Sequence, residues 1–570
     1  MTYDNSVYYD NSVYDVVRVT KLNELYVLLE AEYSTLLSIK EHFTFYAKGY
    51  KYHPKYKHGL WDGRISMLAS NGMFYIGLMS ELMSYCKSQK VTIEVTNPEA
   101  FKTKIKWSDD WFEQYKKNSV AYTLYDYQEN SVKHAIRYNK SLVLSPTGSG
   151  KSIIIYTIVR FLLENTESEI LINVPSVSLV EQLYSDFEDY VTDEFCVSDV
   201  VHKSYNNTKS VRTKNTRVTI QTWQTTSKLS HEELSVYDAY ICDEAHGASA
   251  KELTKIIDGL AHCQFRLGLT GTLDGTDMHT LAMTGRFGII YKEVTTSMLV
   301  SKGTLADFSI NVSVLDYPLE IAKTINKLST TYQQEIDFIT QHSGRNKYLC
   351  DLALSKTSNT LMIFNYVEKH GQVIYDLLKP KLSSSLKEVY YVHGDIKGTD
   401  REVYRKEIES VVPVWYDHYL NDTQFIRLRT VHTVITPELF DEAVESYAYT
   451  NISELKSDQN VVNVVERTGS CILLASYGTA SVGLNIKNLH SLIFCHPRKS
   501  PISVLQTIGR VIRKADGKSK VVVHDIGDKL LNKKGSPNFT YRHVTARIEI
   551  YEASKFNYDV SVIDYNKWSN

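Results

Sequence analysis

The segment Ser145-Pro-Thr-Gly-Ser-Gly-Lys-Ser152 follows an apolar strand, Leu142-Val-Leu144, and opens a helical run from Ser152 to about Glu164. A strand that passes through a glycine-rich turn into a helix constrains the fold more than any other feature of the chain. It calls for a parallel sheet whose strand ends face helix N-termini. There Gly148 and Gly150 let backbone N–H groups converge on phosphates, and the helix dipole adds partial positive charge. Thr147 and Ser149 complete the loop. Lys151 is expected to reach the β and γ phosphates of a nucleotide, and Ser152 to offer its hydroxyl to Mg2+. The usual first glycine of such a loop is replaced by Ser145.

The surrounding sequence supplies the rest of such a sheet. Ser141–Leu144, Ile170–Val174, Val218–Gln221, Ala239–Cys242 and Arg266–Leu269 read as strands, with helical segments between them. The rhythm returns from about 340 to 530 at Leu361–Asn365, Val389–Val392, Cys471–Ala475, Leu492–Cys495 and Val521–His524. The fold class is therefore α/β, with two tandem parallel-sheet lobes. The expected organisation is a small α+β domain over 1–110, a first lobe over 115–300 and a second over 301–570. The second lobe carries a C-terminal extension and an insertion near 406–466, an interval too long for a βα connection. Lys104 to Ser119, with Trp107 and Trp111, reads as the exit helix of the first domain or a linker. Residues 3–8 and 9–14 repeat Tyr-Asp-Asn-Ser-Val-Tyr, too few copies for a solenoid.

Two further motifs carry chemistry. Asp243 and Glu244 end the strand Ala239-Tyr-Ile-Cys242, at the binding edge of a parallel sheet. Asp243 is expected to hold the metal, leaving Glu244 to activate the attacking water. Far downstream, Gln506, Gly509, Arg510 and Arg513 fall at i, i+3, i+4 and i+7, one helix face. An arginine fork suits a γ-phosphate in transit, so Arg513 is expected to be the finger and Arg510 its companion.

At 570 residues the chain needs several cores, and no apolar run approaches the ~20 residues of a membrane span. The seven scattered cysteines, including Cys242, Cys471 and Cys495, read as reduced core residues, which fits a cytoplasmic compartment. A net charge of −2 announces no polyanionic partner, so any such partner must be held by local patches.

Taken in order, these motifs resemble superfamily 2 helicases of the DExH type. The resemblance implies that both lobes are RecA-like, with ATP and Mg2+ as cofactors, and assigns further residues. Gln128, after Tyr127, matches the glutamine that reads adenine. Pro175 with Ser176, and Thr222-Trp223-Gln224-Thr225, match DNA-contact motifs. Thr270-Gly271-Thr272 matches the segment that couples hydrolysis to strand movement, and His246 shares that role. Thr479 to Asn485, with Gly483, matches a second-lobe motif touching nucleotide and nucleic acid. Gly49 to Arg64, with Ser476-Tyr-Gly478, Lys487-Asn-Leu-His490 and Lys555-Phe-Asn-Tyr558, is similar to the recombination and repair helicases of tailed phages. That branch implies branched, forked or single-stranded DNA as partner and monomeric action in a bacterial host's cytoplasm. It also implies contacts with phage recombination or single-strand-binding proteins.

Residues 40–64 support DNA contact independently. Lys40, Lys48, Lys51, Lys55, Lys57 and Arg64 outweigh Glu41 and Asp62, a local charge of about +4. Phe43, Phe45, Tyr46, Tyr50, Tyr52, Tyr56 and Trp61 interleave with them and either stack on bases or form the domain's core. Other readings of the lobes are a double-strand translocase, an RNA helicase, or an ATP-gated binding or annealing protein.

Overall fold

The computed structural model describes residues 15–569 except 48, 104, 205–214, 248–249, 329–330, 383, 411–413, 420–424, 430–462, 483–485, 516, 519 and 532–535. The tyrosine-rich repeat thus lies outside the described residues. The chain divides into two compact units, Met1–Val294 and Thr295–Asn570.

The first unit opens with six short strands, β1 (Val16–Lys21), β2 (Tyr26–Glu30), β3 (Thr44–Tyr46), β4 (Arg64–Ser66), β5 (Met73–Tyr75) and β6 (Thr92–Val95). Four of them form a mixed sheet in the order β5-β2-β1-β6, while β3 and β4 make an antiparallel pair. Alternation puts Val17, Val19, Val27 and Leu29 inside, with Phe43, Phe74 and Leu82. This sheet is docked rather than tethered. Met278, Leu281 and Ala282 of the helix Asp277–Phe287 pack on its core, and a Cβ at Gly77 would lie 2.1 Å from Thr284 O. Lys140 Nζ reaches Glu24 at 2.6 Å, and the Tyr26 hydroxyl donates to Asp258 at 2.8 Å.

Seven parallel strands follow: β7 (Lys140–Leu144), β8 (Ile170–Val174), β9 (Val201–Ser204), β10 (Val218–Thr222), β11 (Ala239–Cys242), β12 (Phe265–Thr270) and β13 (Ile289–Tyr291). Their order is β13-β7-β12-β11-β8-β10-β9. β8, β10, β11 and β12 are buried at every position, as a parallel sheet covered on both faces requires. One face packs on the helices Lys151–Asn165 and Val177–Tyr190, the other on Ala250–Gly259 and Asp277–Phe287. The expected exit helix is Asp109–Asn118, and it belongs to this lobe's core: Phe112 and Tyr115 pack beside Phe161. Its aromatics are too apolar to serve as a linker.

The second unit contains β14 (Asp307–Asp316), β15 (Thr360–Phe364), β16 (Lys387–Val392), β17 (Val414–Tyr419), β18 (Phe425–Arg429), β19 (Asn463–Thr468), β20 (Ser470–Ser476), β21 (Ser491–Phe494), β22 (Lys520–Lys529) and β23 (Tyr558–Ile563). Seven of these form another all-parallel sheet in the order β16-β20-β15-β21-β22-β14-β23. The chain thus has the expected α/β class with two RecA-like lobes. The second sheet starts earlier and ends later than its sequence rhythm, because β14 and β23 sit at one side of it. Between the helix Gly398–Ser410 and β20, the strands β17, β18 and β19 make a separate antiparallel sheet.

Candidate nucleotide site and nucleic-acid surface

The first lobe gathers motifs that are scattered in sequence. β7, β12, β11, β8 and β10 are successive neighbours, and their C-terminal ends carry five segments in that order. These are the phosphate loop, Thr270-Gly271-Thr272, Asp243 to His246, Pro175-Ser176 and Thr222 to Thr225. The coupling motif therefore stands between the phosphate loop and the carboxylates. Ser145 N–H donates to Thr270 O at 2.8 Å, which fastens it to the loop.

Gly150 caps the helix Lys151–Asn165 in the left-handed region, φ +82. A Cβ there would be strained by that φ and would also fall 2.4 Å from Gln128 Nε2, so the position favours glycine. Gln128 is buried: its Nε2 donates to Ser149 O at 2.8 Å and its Oε1 accepts from Tyr125 N–H at 2.9 Å. The Tyr127 hydroxyl donates to the same Ser149 carbonyl at 3.1 Å. Tyr127 and Gln128 thus hold the loop directly. Ser149 Oγ donates to Pro146 O, and Ser145 Oγ stands 2.5 Å from it. The serine at the first-glycine position is a loop fastener.

Lys151 Nζ pairs with Glu244 Oε1 at 2.9 Å, both side chains mostly buried. Glu244 adopts φ +47, an unfavourable backbone for a residue with a Cβ and one found mainly at functional sites. Asp243 accepts the Glu244 N–H at 2.9 Å. Burial and the adjacent Glu244 charge push the Asp243 carboxyl up to about 6, against the pull of Lys151. His246 Nδ1 meets Thr270 Oγ1 at 2.5 Å and Glu244 Oε2 at 3.4 Å. Because Thr270 Oγ1 donates its own proton to Thr272 O at 3.0 Å, His246 must be the donor through Nδ1. Burial lowers its imidazole pKa, which favours the neutral ring. The expected coupling residues His246, Thr270 and Thr272 are thus one hydrogen-bonded chain, and Gly271 lies against Ser145 O and Thr147 N.

Two oxygens suit a hard cation, the Asp243 carboxylate and the Ser152 hydroxyl. Ser152 Oγ is 2.8 Å from the Tyr190 hydroxyl, a neighbour that no sequence motif announced. Tyr190 closes the helix Val177–Tyr190 and is brought in only by the fold.

The expected DNA contacts divide sharply. Ser176 caps its helix by accepting from Leu179 N–H, leaving Pro175 and Ser176 half-exposed at the sheet edge. Gln224 is exposed, but Thr222 and Trp223 are buried. Thr222 Oγ1 caps the turn Trp223–Thr226, and the Trp223 indole fills core behind Gly247. Trp223 is therefore a core residue, because the aromatic face that stacking would need is already covered.

In residues 40–64, Phe43 is core, Tyr46 and Tyr52 are exposed, and Phe45, Tyr50, Tyr56 and Trp61 are half-buried. Tyr46 stacks on Tyr50 at 4.5 Å, the Arg64 guanidinium lies 5.4 Å over Tyr46, and Lys51 lies 5.9 Å over Tyr50. Trp61 Nε1 donates to Arg64 O at 2.8 Å, and His53 meets Trp61 edge-on. Lys55 and Lys57 are exposed on the short helix Pro54–Lys57. Lys48 lies outside the described residues.

In the second unit the helix Pro501–Val511 carries Gln506, Gly509 and Arg510. Arg513 does not continue that face. Ile512 leaves helical geometry (φ −83, ψ 6), and Arg513 forms an antiparallel bridge with Leu305. Thr479 is buried against Ser476 Oγ at 2.9 Å. Gly483 and Asn485 lie outside the described residues.

Among the described residues no helix is long and apolar enough to cross a membrane. Three sequence profiles match the chain: "Type III restriction enzyme, res subunit" over 121–275, "DNA helicase UvsW, N-terminal" over 17–96, and "Helicase conserved C-terminal domain" over 421–515. Among solved structures, T4 UvsW is 28% identical, covering 96% of this chain and 99% of that one, with a TM-score of 0.45. The type ISP restriction-modification enzyme LlaBIII bound to DNA is 13% identical over 86% of this chain and 36% of its own, TM-score 0.48. The ATP-dependent DNA helicase uvsW of Enterobacteria phage T4 is 30% identical over 557 residues, 95% of this chain and 98% of that protein. A likeness that runs through the small N-terminal sheet, the phosphate-loop lobe and the arginine-bearing lobe alike places this chain in the UvsW family of DNA helicases.

Proposed function

We propose that the chain is an ATP-dependent DNA helicase that remodels branched DNA in recombination, repair and replication, in the cytoplasm of a bacterial host. The observation that carries the enzymatic part is the joint placement of Lys151, Asp243, Glu244 and His246 at one sheet edge. Incoming β and γ phosphates exchange Lys151 from Glu244 to phosphate oxygens, which frees the Glu244 carboxylate to take a proton from water. Asp243 and Ser152 would hold Mg2+, which supplies charge neutralisation on the phosphates. The His246–Thr270–Thr272 chain then reports the state of Glu244 to the segment entering the helix Asp277–Phe287, on which the N-terminal sheet is docked. Arg513 supplies the transition-state cation and Arg510 supports it. The surface formed by Tyr46, Tyr50, Tyr52, Lys51, Lys55 and Lys57 supports DNA as the polymer, with lysines on phosphates and tyrosines against unstacked bases.

The test is ATPase and unwinding measured together on forked, junction, linear duplex and single-stranded DNA and on RNA. Strong stimulation by forks and junctions, with unwinding of both, is expected. Stimulation by duplex without strand separation would make the chain a translocase, and absence of any DNA stimulation would remove the proposal.

A further inference from the structure

The arginine-bearing helix ends without the usual device. A glycine in the left-handed region commonly closes a helix, but Ile512 is not left-handed and the chain runs straight into its bridge with Leu305. The last carbonyls must be satisfied from elsewhere. Ile512 O accepts from Ala306 N–H at 2.8 Å, and Val511 O accepts from the ammonium of Lys518. Lys518 is only 6% exposed, and its Nζ also donates to Lys487 O at 2.7 Å. No carboxylate pairs with it among the described residues. Burial and the neighbouring Arg513 charge push its ammonium down to about 7.

A buried cation held by carbonyls alone is costly to keep, so what it joins is informative. One carbonyl ends the helix of Gln506 and Arg510. The other follows the second-lobe segment matched to a nucleotide and nucleic-acid motif, and Lys487 N–H is itself tied to Glu409 at 2.9 Å. We propose that Lys518 is a positioning residue for hydrolysis, which fixes the turn presenting Arg513 and ties it to Lys487. The ammonium is favoured at the negative end of the helix dipole, and its charge lies beside that of the Arg513 guanidinium. Leu305 and Ala306 hold the same turn from its other side.

This inference rests on Arg513 acting in hydrolysis, and a double-mutant cycle separates the two. DNA-stimulated ATPase is measured for wild type, Lys518→Met, Arg513→Ala and the double variant, with Lys518→Arg as the charge-retaining control. Lys518→Met is expected to lower kcat by about tenfold or more with the KM for ATP little changed, since misplacing a reacting group costs rate rather than binding. Lys518→Arg should recover part of that loss. In the Arg513→Ala background, Lys518→Met should cost less than about twofold more, because both act through one guanidinium. Multiplying losses, a change confined to KM, or wild-type kcat in Lys518→Met would overturn the positioning role. Wild-type turnover in Arg513→Ala would instead overturn the finger assignment. If Lys518→Met does not melt cooperatively, Lys518→Gln, which keeps an N–H donor, runs through the same cycle.

Discussion

Aspartates in the two lobes have opposite surroundings: Asp525 and Asp528 are fully buried, Asp243 only partly. In the second unit, Asp525 and Asp528 lie inside β22 with no exposure, and each faces an equally buried arginine. Arg547 forks onto Asp525 at 2.6 Å and Arg345 onto Asp528 at 2.7 Å, with the Tyr551 and Tyr317 hydroxyls donating as well. In the first unit, Asp243 stands one residue beyond β11 against another carboxylate, and among the described residues no arginine answers it. The first two aspartates are satisfied by the fold. Asp243 is held ready for a cation from outside, which is how a binding carboxylate differs from a structural one.

The comparison breaks most visibly at Glu244, the partner Asp243 lives with. Glu244→Gln should retain ATP and DNA binding and lose turnover by about 10²–10⁴-fold, the scale of general-base catalysis. Single-turnover hydrolysis with separately measured nucleotide affinity checks this; near-normal hydrolysis would move the base elsewhere. The opposite outcome is expected at Arg345. Arg345→Ala leaves Asp528 charged and unpaired in a dry core, at about 3–5 kcal/mol. Calorimetry should show the transition of the second unit shifted well down.

How much of this was readable from sequence follows the same divide. Fully apolar strands such as Ile170-Leu-Ile-Asn-Val174 and Ala239-Tyr-Ile-Cys242 announced themselves, and so did the glycine loop between strand and helix. Strands at the sheet margins did not: β9 and β23 are half-polar, because an edge has one side without a partner strand, and β13 is only three residues long. The end of the helix before Arg513 was hidden too. Val511-Ile-Arg-Lys514 contains no glycine or proline, and the stop comes from Leu305 and Lys518, which are remote in sequence or act through a side chain. Trp223 was placed among the DNA contacts by its segment's resemblance to a contact motif, whereas the fold sets its indole in the core against Gly247. Tyr190 beside Ser152 had no local signal at all.

A smaller effect sharpens the contrast between the aspartates. The Asp243 carboxyl in the folded state titrates at about 6, above its unfolded value of about 3.9. Such a group costs nothing below the unfolded value; the cost grows as pH rises through this window and is complete above about 6. Asp243→Asn should therefore stabilise the nucleotide-free protein at pH 7, by on the order of 1–2 kcal/mol, while abolishing metal-dependent turnover. The stabilisation should fade near pH 4. Asp525→Asn, which strips the charge from a satisfied pair, should destabilise at pH 7. If both variants melt lower at pH 7, Asp243 is structural after all.

The smallest effects are expected where charges are exposed. Lys51, Lys55 and Lys57 are exposed, and the contact of Lys51 with the Tyr50 ring is a surface one, so desolvation ties none of them to the fold. Replacing all three by Ala should leave the melting temperature within about a degree or two, as expected for solvated side chains. What should change is the salt dependence of DNA binding. Each lysine that neutralises a duplex phosphate releases counterions and contributes about 0.9 to the slope of log affinity against log salt. The triple variant should therefore flatten that slope by about 2 to 3 on forked duplex DNA. Tyr46 and Tyr50, by contrast, contact one another, so Tyr50→Ala should weaken binding to the single-stranded arm with little change in slope. A triple variant with an unaltered slope would mean that DNA approaches the first unit from another face, leaving the lysines as solvated surface around a tyrosine stack.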